Sequence, residues 1–294
     1  MTHKWMPLLL GLVAWVPLSS FTPAQSPETV LYAASQPLAQ TEEAQLSLHT
    51  DVSCEAPSLS QLQDVETELR ALRNVYHQTL GYTQAHTVEL KGNYFCSEAA
   101  YKAYQRHLGV HNASKTGFFS LSHQEIVVMG HHPAQGRQTL MHEASHALLR
   151  SQTAPYSKWI NEGLAEYFEG ASWQNNKGFQ VHPQDMKDAR VKQMLNQREL
   201  PALQDYLSLS SRDWQKLQSP SPVGSSIAWS LVYYLMENSQ NHPILRQLLQ
   251  DQQAGVTTEE SLEMHYPGGL KQLEQDWHRF ILAKRSVHNW QGFA

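Results

Sequence analysis

Gln138-Thr139-Leu140-Met141-His142-Glu143-Ala144-Ser145-His146-Ala147-Leu148-Leu149 is the stretch that decides how this chain folds. Leu140, Met141, Ala144, Ala147 and Leu148 are uncharged and recur at helical spacing, so the segment reads as a buried helix. His142 and His146 stand one turn apart on it, with roughly 6 Å between their Cβ atoms, so both imidazoles can reach one metal ion from the same face. Helical rotation sets Glu143 beside that point rather than on it, where a carboxylate can take a proton from water. Burying two imidazoles and a carboxylate on an apolar helix is costly without a partner, and a metal ion supplies one.

Downstream, Lys158-Trp159-Ile160-Asn161-Glu162-Gly163-Leu164-Ala165-Glu166-Tyr167-Phe168-Glu169 forms a second helical run, with Glu162 and Glu166 on one face and Trp159, Leu164, Ala165 and Phe168 placed to pack. This run offers a third, acidic ligand. Upstream, Leu59, Leu62, Val65, Leu69, Leu72 and Val75 mark an amphipathic helix ending near Gly81. Thr87 to Phe95 alternates as a strand, and Ser97 with Glu98 caps a short helix carrying Tyr101 and Tyr104. Gly117-Phe118-Phe119 and Glu125 to Met129 read as two strands joined across Leu121 to Gln124.

The His-Glu-x-x-His helix together with Trp-Ile-Asn-Glu-Gly-Leu-Ala-Glu-Tyr resembles the gluzincin metallopeptidases, the group that includes thermolysin and the aminopeptidase N relatives. Within that group it is similar to uncharacterised bacterial peptidase-like domains whose helix reads Glu-Gly-Leu-Ala-Glu-Tyr-Phe. The likeness runs from about Thr87 to Phe280 and takes in Leu200-Pro201-Ala202-Leu203 and Ala228-Trp229-Ser230-Leu231-Val232. It implies one Zn²⁺ held by His142, His146 and Glu162, with Glu143 as the base that activates the zinc-bound water, and Glu166 hydrogen-bonding a zinc-bound histidine. It also implies that Glu125 to Met129 is the edge strand that pairs with an extended peptide substrate. The oxyanion-stabilising tyrosine of aminopeptidase-like relatives, roughly sixty residues after the glutamate ligand, falls near Ser225, which is not tyrosine. Tyr233, Tyr234, His265 and Tyr266 are alternatives for that role, and the sequence does not choose among them. No Gly-x-Met-Glu-Asn stretch is present, which disfavours an aminopeptidase.

With 294 residues, 41% of them hydrophobic, the chain holds enough apolar material for one large or two small domains. Only 17% of residues are charged, against roughly 25% in an average soluble protein, and no block of like charge occurs, so nucleic acid is not an expected partner. The net charge of -5 gives no polybasic membrane surface. The apolar run from Trp5 to Leu18, broken by Pro7, Gly11 and Pro17, falls short of the roughly 20 residues that span a bilayer and reads as a signal peptide over 1–24, cleaved after Ala24. The protein is thus expected outside the cytoplasm, periplasmic or secreted, with no stable membrane span after cleavage. Residues 25–54 read as a flexible lead-in. Cys54 and Cys96 are the only cysteines, and an oxidising compartment favours a disulfide between them.

Six helical stretches follow: about Pro183 to Leu200, Leu203 to Leu209, Ser225 to Asn238, Pro243 to Asp251, Thr258 to His265 and Leu270 to Ala283. The expected architecture is α+β and zincin-like. A small mixed sheet with the active-site helix (55–170) is followed by a mainly helical subdomain (171–294), the cleft lying between them. The function this predicts is hydrolysis of a peptide or protein substrate by an exported zinc metallopeptidase, an endopeptidase. A catalytically silent zinc-binding or partner-binding protein, or a zinc hydrolase of a non-peptide amide or ester, would use the same ligands.

Overall fold

The structure, a computed structural model, describes residues 36–40, 46–50, 54, 59–82, 89–111, 114–130, 132–151, 156–174, 177–219 and 221–290. The expected signal peptide and its cleavage points lie outside the described residues. The fold is mixed α+β. Strands β1 (Gln36–Gln40), β2 (Leu46–Thr50), β3 (Leu90–Phe95), β4 (Gly117–Ser120) and β5 (Glu125–Met129) make a five-stranded sheet in the order β1-β2-β3-β5-β4. β2, β3 and β5 run parallel, while β1 and β4 lie antiparallel on the flanks.

Two features of this sheet depart from the sequence reading. β1 and β2 fall within the stretch expected to be a flexible lead-in. The alternation of Leu46, Leu48 and Thr50 is the strand signal there, but it spans five residues only and sits beside Gln-, Ser- and Pro-rich sequence. The second departure is β5, which is not an edge. It pairs with β3 through Lys91↔Glu125 to Phe95↔Met129 and with β4 through Gly117↔Val128 to Ser120↔Glu125. Its apolar run, with Ile126, Val127 and Val128 all buried, is that of an interior strand.

Cys54 and Cys96 are joined in a disulfide whose Cα atoms lie 5.0 Å apart. Because β2 and β3 pair in parallel from Leu46↔Leu90 to Thr50↔Tyr94, the bond ties the same end of two neighbouring strands.

Helix α1 (Leu59–Asn74) continues through a wider turn at Val75–Thr79 and stops at Gly81, whose φ of 79° only glycine adopts without strain. Helix α2 (Glu98–His107) starts at Ser97, which accepts from the backbone N–H of Ala100 as expected. The two central helices are α3 (Pro133–Arg150) and α4 (Lys158–Glu169), the latter buried from Trp159 to Asn161 and again from Gly163 to Phe168. A three-stranded antiparallel sheet of β6 (Ala171–Gln174), β7 (Gly178–Val181) and β8 (His288–Trp290) closes the helical half, which the helix-only expectation missed. Its helices are α5 (Asp185–Gln197), α6 (Leu203–Leu207), α7 (Ser211–Leu217), α8 (Val223–Glu237), α9 (His242–Gln253), α10 (Thr258–His265) and α11 (Gly269–Leu282). Among the described residues no helix is long and apolar enough to cross a membrane.

α4 is sandwiched between α3 and α8, and a glycine sets how closely α8 approaches. A Cβ on Gly163 would lie 2.6 Å from Cγ2 of Val232 and 2.8 Å from the carbonyl oxygen of Ala228. The glycine that follows Glu162 is therefore a packing requirement.

Candidate metal centre

α3 and α4 bring the three expected ligands together. His142, His146 and Glu162 present ligand atoms within 4.8 Å of one another. Nε2 of His142 lies 3.8 Å from Oε1 of Glu162, and Nε2 of His146 lies 3.9 Å from Oε2 of the same carboxylate. The imidazoles stand edge to face with ring centroids 4.8 Å apart. Donors bonded at about 2.1 Å to one tetrahedral ion sit about 3.4 Å from each other, so both pairs are about 0.5 Å wider than ligation requires.

The hydrogen bond beside His146 sets which ring nitrogen is left available. Nδ1 of His146 is 3.3 Å from Oδ1 of Asn161, so the ring donates through Nδ1 and leaves Nε2 facing Glu162. Burial of both imidazoles holds their pKa values below the ordinary range, well below it for His146, where the neighbouring His142 adds to the effect. Neutral imidazole is the ligating form.

Glu143 lies beside this group and is buried. Burial first, and the charge of Glu162 second, push its carboxyl up to about 8, against which the backbone N–H of Phe119 on β4 donates to it. The strand comes this close because Gly117 has no side chain. A Cβ there would meet Cγ2 of Thr139 at 2.4 Å and Cγ of Glu143 at 3.6 Å. Since β4 pairs only with β5 among the described strands, its other edge is open, and this edge runs past Glu143.

Glu166 and Glu169 lie toward the C-terminal end of α4. Glu166 is buried and pairs with the Lys187 ammonium from α5, while the side chain of Gln184 donates to its backbone carbonyl. Its carboxyl is raised, first by burial. Glu169 also pairs with Lys187, at 3.0 Å, and its Oε2 is the carboxylate oxygen 3.9 Å from Nδ1 of His142. Glu166, expected to hydrogen-bond a histidine, makes no such bond among the described residues, and Glu169 is the carboxylate that comes within 3.9 Å of Nδ1 of His142.

Each of the four oxyanion candidates has a partner elsewhere in the fold. Tyr233 donates to the carbonyls of Val181 and Ser286, Tyr234 and Tyr266 share a hydrogen bond that continues to Asp276, and His265 pairs with Asp251. Ser225 is buried against Gln218. Tyr206 is the phenol whose ionisation feels Glu162, and its hydroxyl donates to the carbonyl of Gly224. Asn161, Glu169, Lys187 and Tyr206 were not singled out from the sequence, although Asn161 and Glu169 sit within the helix that was.

A family described as "Protein of unknown function (DUF1570)" matches residues 137–253, a span that begins inside α3 at Arg137 and covers α4 to α9. No curated protein matches the chain.

Proposed function

We propose that the protein is an exported zinc-dependent peptidase of zincin-like architecture, an endopeptidase acting on peptide or protein substrates outside the cytoplasm. The observation that carries this reading is the convergence of Nε2 of His142, Nε2 of His146 and both oxygens of Glu162, with the Glu143 carboxyl alongside. A zinc ion bound there would act as a Lewis acid and lower the pKa of a coordinated water toward about 7.

The chain's own residues supply the remainder. Glu143 takes a proton from the attacking water and returns it to the leaving amine. Asn161 holds His146 in the tautomer that keeps Nε2 free. The open edge of β4 offers backbone hydrogen bonds to an extended peptide laid past Glu143, the role first expected of β5. The disulfide at Cys54 and Cys96 is compatible with an oxidising compartment.

The test is elemental analysis of the purified chain beside Glu162→Ala, followed by a peptide-library digest with Glu143→Ala as control. About one zinc per chain, lost in Glu162→Ala, and cleavage lost in Glu143→Ala are the expected results. A folded chain that takes up no zinc overturns the reading. The engaged hydroxyls at Ser225, Tyr233, Tyr234 and Tyr266 favour a second reading, a zinc-binding protein without hydrolytic activity. Zinc bound tightly with no peptide cleaved by the wild type selects it.

A further inference from the structure

α4 ends in an unfavourable arrangement. Glu166 and Glu169 are three residues apart, so they share a face, and they lie at the helix end where the backbone dipole is negative. Burial of Glu166 adds the cost of desolvating its charge. Together with Nδ1 of His142 these carboxylates form a second group with the composition of a metal site, their ligand atoms within 4.8 Å of one another. What fills it is a lysine. The ammonium of Lys187 contacts Glu166, Glu169 and the amide oxygen of Gln184.

The consequence reaches the first group. With Lys187 drawing the two carboxylates together, Glu169 rather than Glu166 is left facing the ring of His142, at 3.9 Å from Nδ1. Nε2 of that ring points the other way, to Glu162. His146 is arranged alike, with Asn161 at Nδ1 and Glu162 at Nε2. Each imidazole therefore has one polar partner behind it and Glu162 in front, the partners coming from the two ends of α4.

We propose that Glu169, held by Lys187, is the positioning residue for His142. Its carboxylate, 3.9 Å from Nδ1, favours the Nδ1–H form by its charge and so keeps Nε2 free, while Glu166 serves to seat the lysine. The inference deepens the zinc reading and rests on it for its consequence on metal affinity, but its effect on the imidazole exists without metal.

Two measurements separate these. In metal-free protein at pH 8, where burial keeps both rings neutral, ¹⁵N shifts report which nitrogen of His142 carries the proton. The wild type shows the Nδ1–H form, Glu169→Met loses that preference, and Glu166→Met retains it. In zinc competition against a chromophoric chelator, Glu169→Met weakens binding by about 10–100-fold and Glu166→Met by much less. Lys187→Met releases Glu169, so it too shifts the tautomer, and the zinc effect of Glu169→Met shrinks in its background. The lysine variant also keeps the question decidable if Glu169→Met does not fold, with circular dichroism and Tm as the check. An unchanged tautomer in both Glu169→Met and Lys187→Met, or a larger loss in Glu166→Met, overturns the proposal. A wild type that binds no zinc sinks the peptidase reading alone, since the tautomer result is read without metal.

Discussion

Two carboxylate sites, Glu68 on α1 and the pair Glu143 and Glu162 at the junction of α3 and α4, are treated differently by the fold. Glu68 is fully buried on α1, and Nε of Arg137 from α3 reaches its Oε2 at 2.6 Å while the backbone N–H of Trp173 on β6 donates to Oε1. Glu143 and Glu162 are set among two imidazoles, and among the described residues no lysine or arginine forms an ion pair with either. The chain can build a cation against a buried acid, since it does so at Glu68 and again with Lys187 at Glu166. Arg137 lies on the same helix as His142 and five residues ahead of it, so its pair with Glu68 also anchors the helix that carries His142, Glu143 and His146.

Substitution at each carboxylate breaks the comparison in opposite ways. Glu162→Ala is expected to weaken zinc binding by more than about 100-fold, measured by chelator competition, with Tm of the metal-free protein little changed. Glu68→Ala strips the partner from Arg137 and from the N–H of Trp173. A loss of about 3 kcal/mol in urea unfolding is expected, with zinc stoichiometry retained in the folded fraction. If Glu68→Ala lowered zinc affinity as much as Glu162→Ala did, the division between anchoring and ligating acids would be wrong.

Smaller effects sharpen the same contrast. Gly163→Ala forces a methyl against Val232 and Ala228, and about 1–3 kcal/mol of lost stability is expected, with weaker zinc binding because Glu162 moves with its helix. The smallest effect concerns a histidine that has a permanent partner. The ring of His288 shares a 3.0 Å hydrogen bond with the Tyr167 hydroxyl, and burial, with His242 adding to it, lowers its pKa from 6.5 to about 4. Between those values the unfolded chain binds a proton that the folded chain refuses, so stability present above pH 6.5 is lost as the pH falls toward 4. His288→Gln should flatten that slope in Tm by about 2–4 °C at pH 5. An unchanged slope would mean that the acid sensitivity comes from His142 and His146, in which case added zinc would suppress it.

Local sequence carried some of this and not the rest. That His142, Glu143 and His146 share one helical turn was legible because spacing on a helix is a property of consecutive residues, and Glu162 was placed beside them by the Asn-Glu-Gly resemblance. The α10 boundaries, the Ser97 cap and the β4–β5 hairpin were legible for the same reason, each encoded within a few positions. Sheet order was not legible. Whether β4 or β5 forms the edge depends on the pairing of β5 with β3, about thirty residues upstream, and no local pattern records that choice. The strands β6, β7 and β8 escaped because the first two are only four residues long and the third only three, and β8 pairs with β7 across more than a hundred positions.

The sequence by itself determined the His-Glu-x-x-His helix, the acidic helix that faces it, the disulfide pair and the α+β class, all through spacing or composition. Only the tertiary structure decided that Glu169 rather than Glu166 faces His142, that Lys187 fills the space between those carboxylates, that Gly163 admits α8, and that β4 offers its edge beside Glu143. The physical reason is one of range. Helical periodicity is set by hydrogen bonds four residues apart, whereas the partner of a buried charge is whichever group packing brings within a few ångströms, and for α4 that group comes from the start of α5.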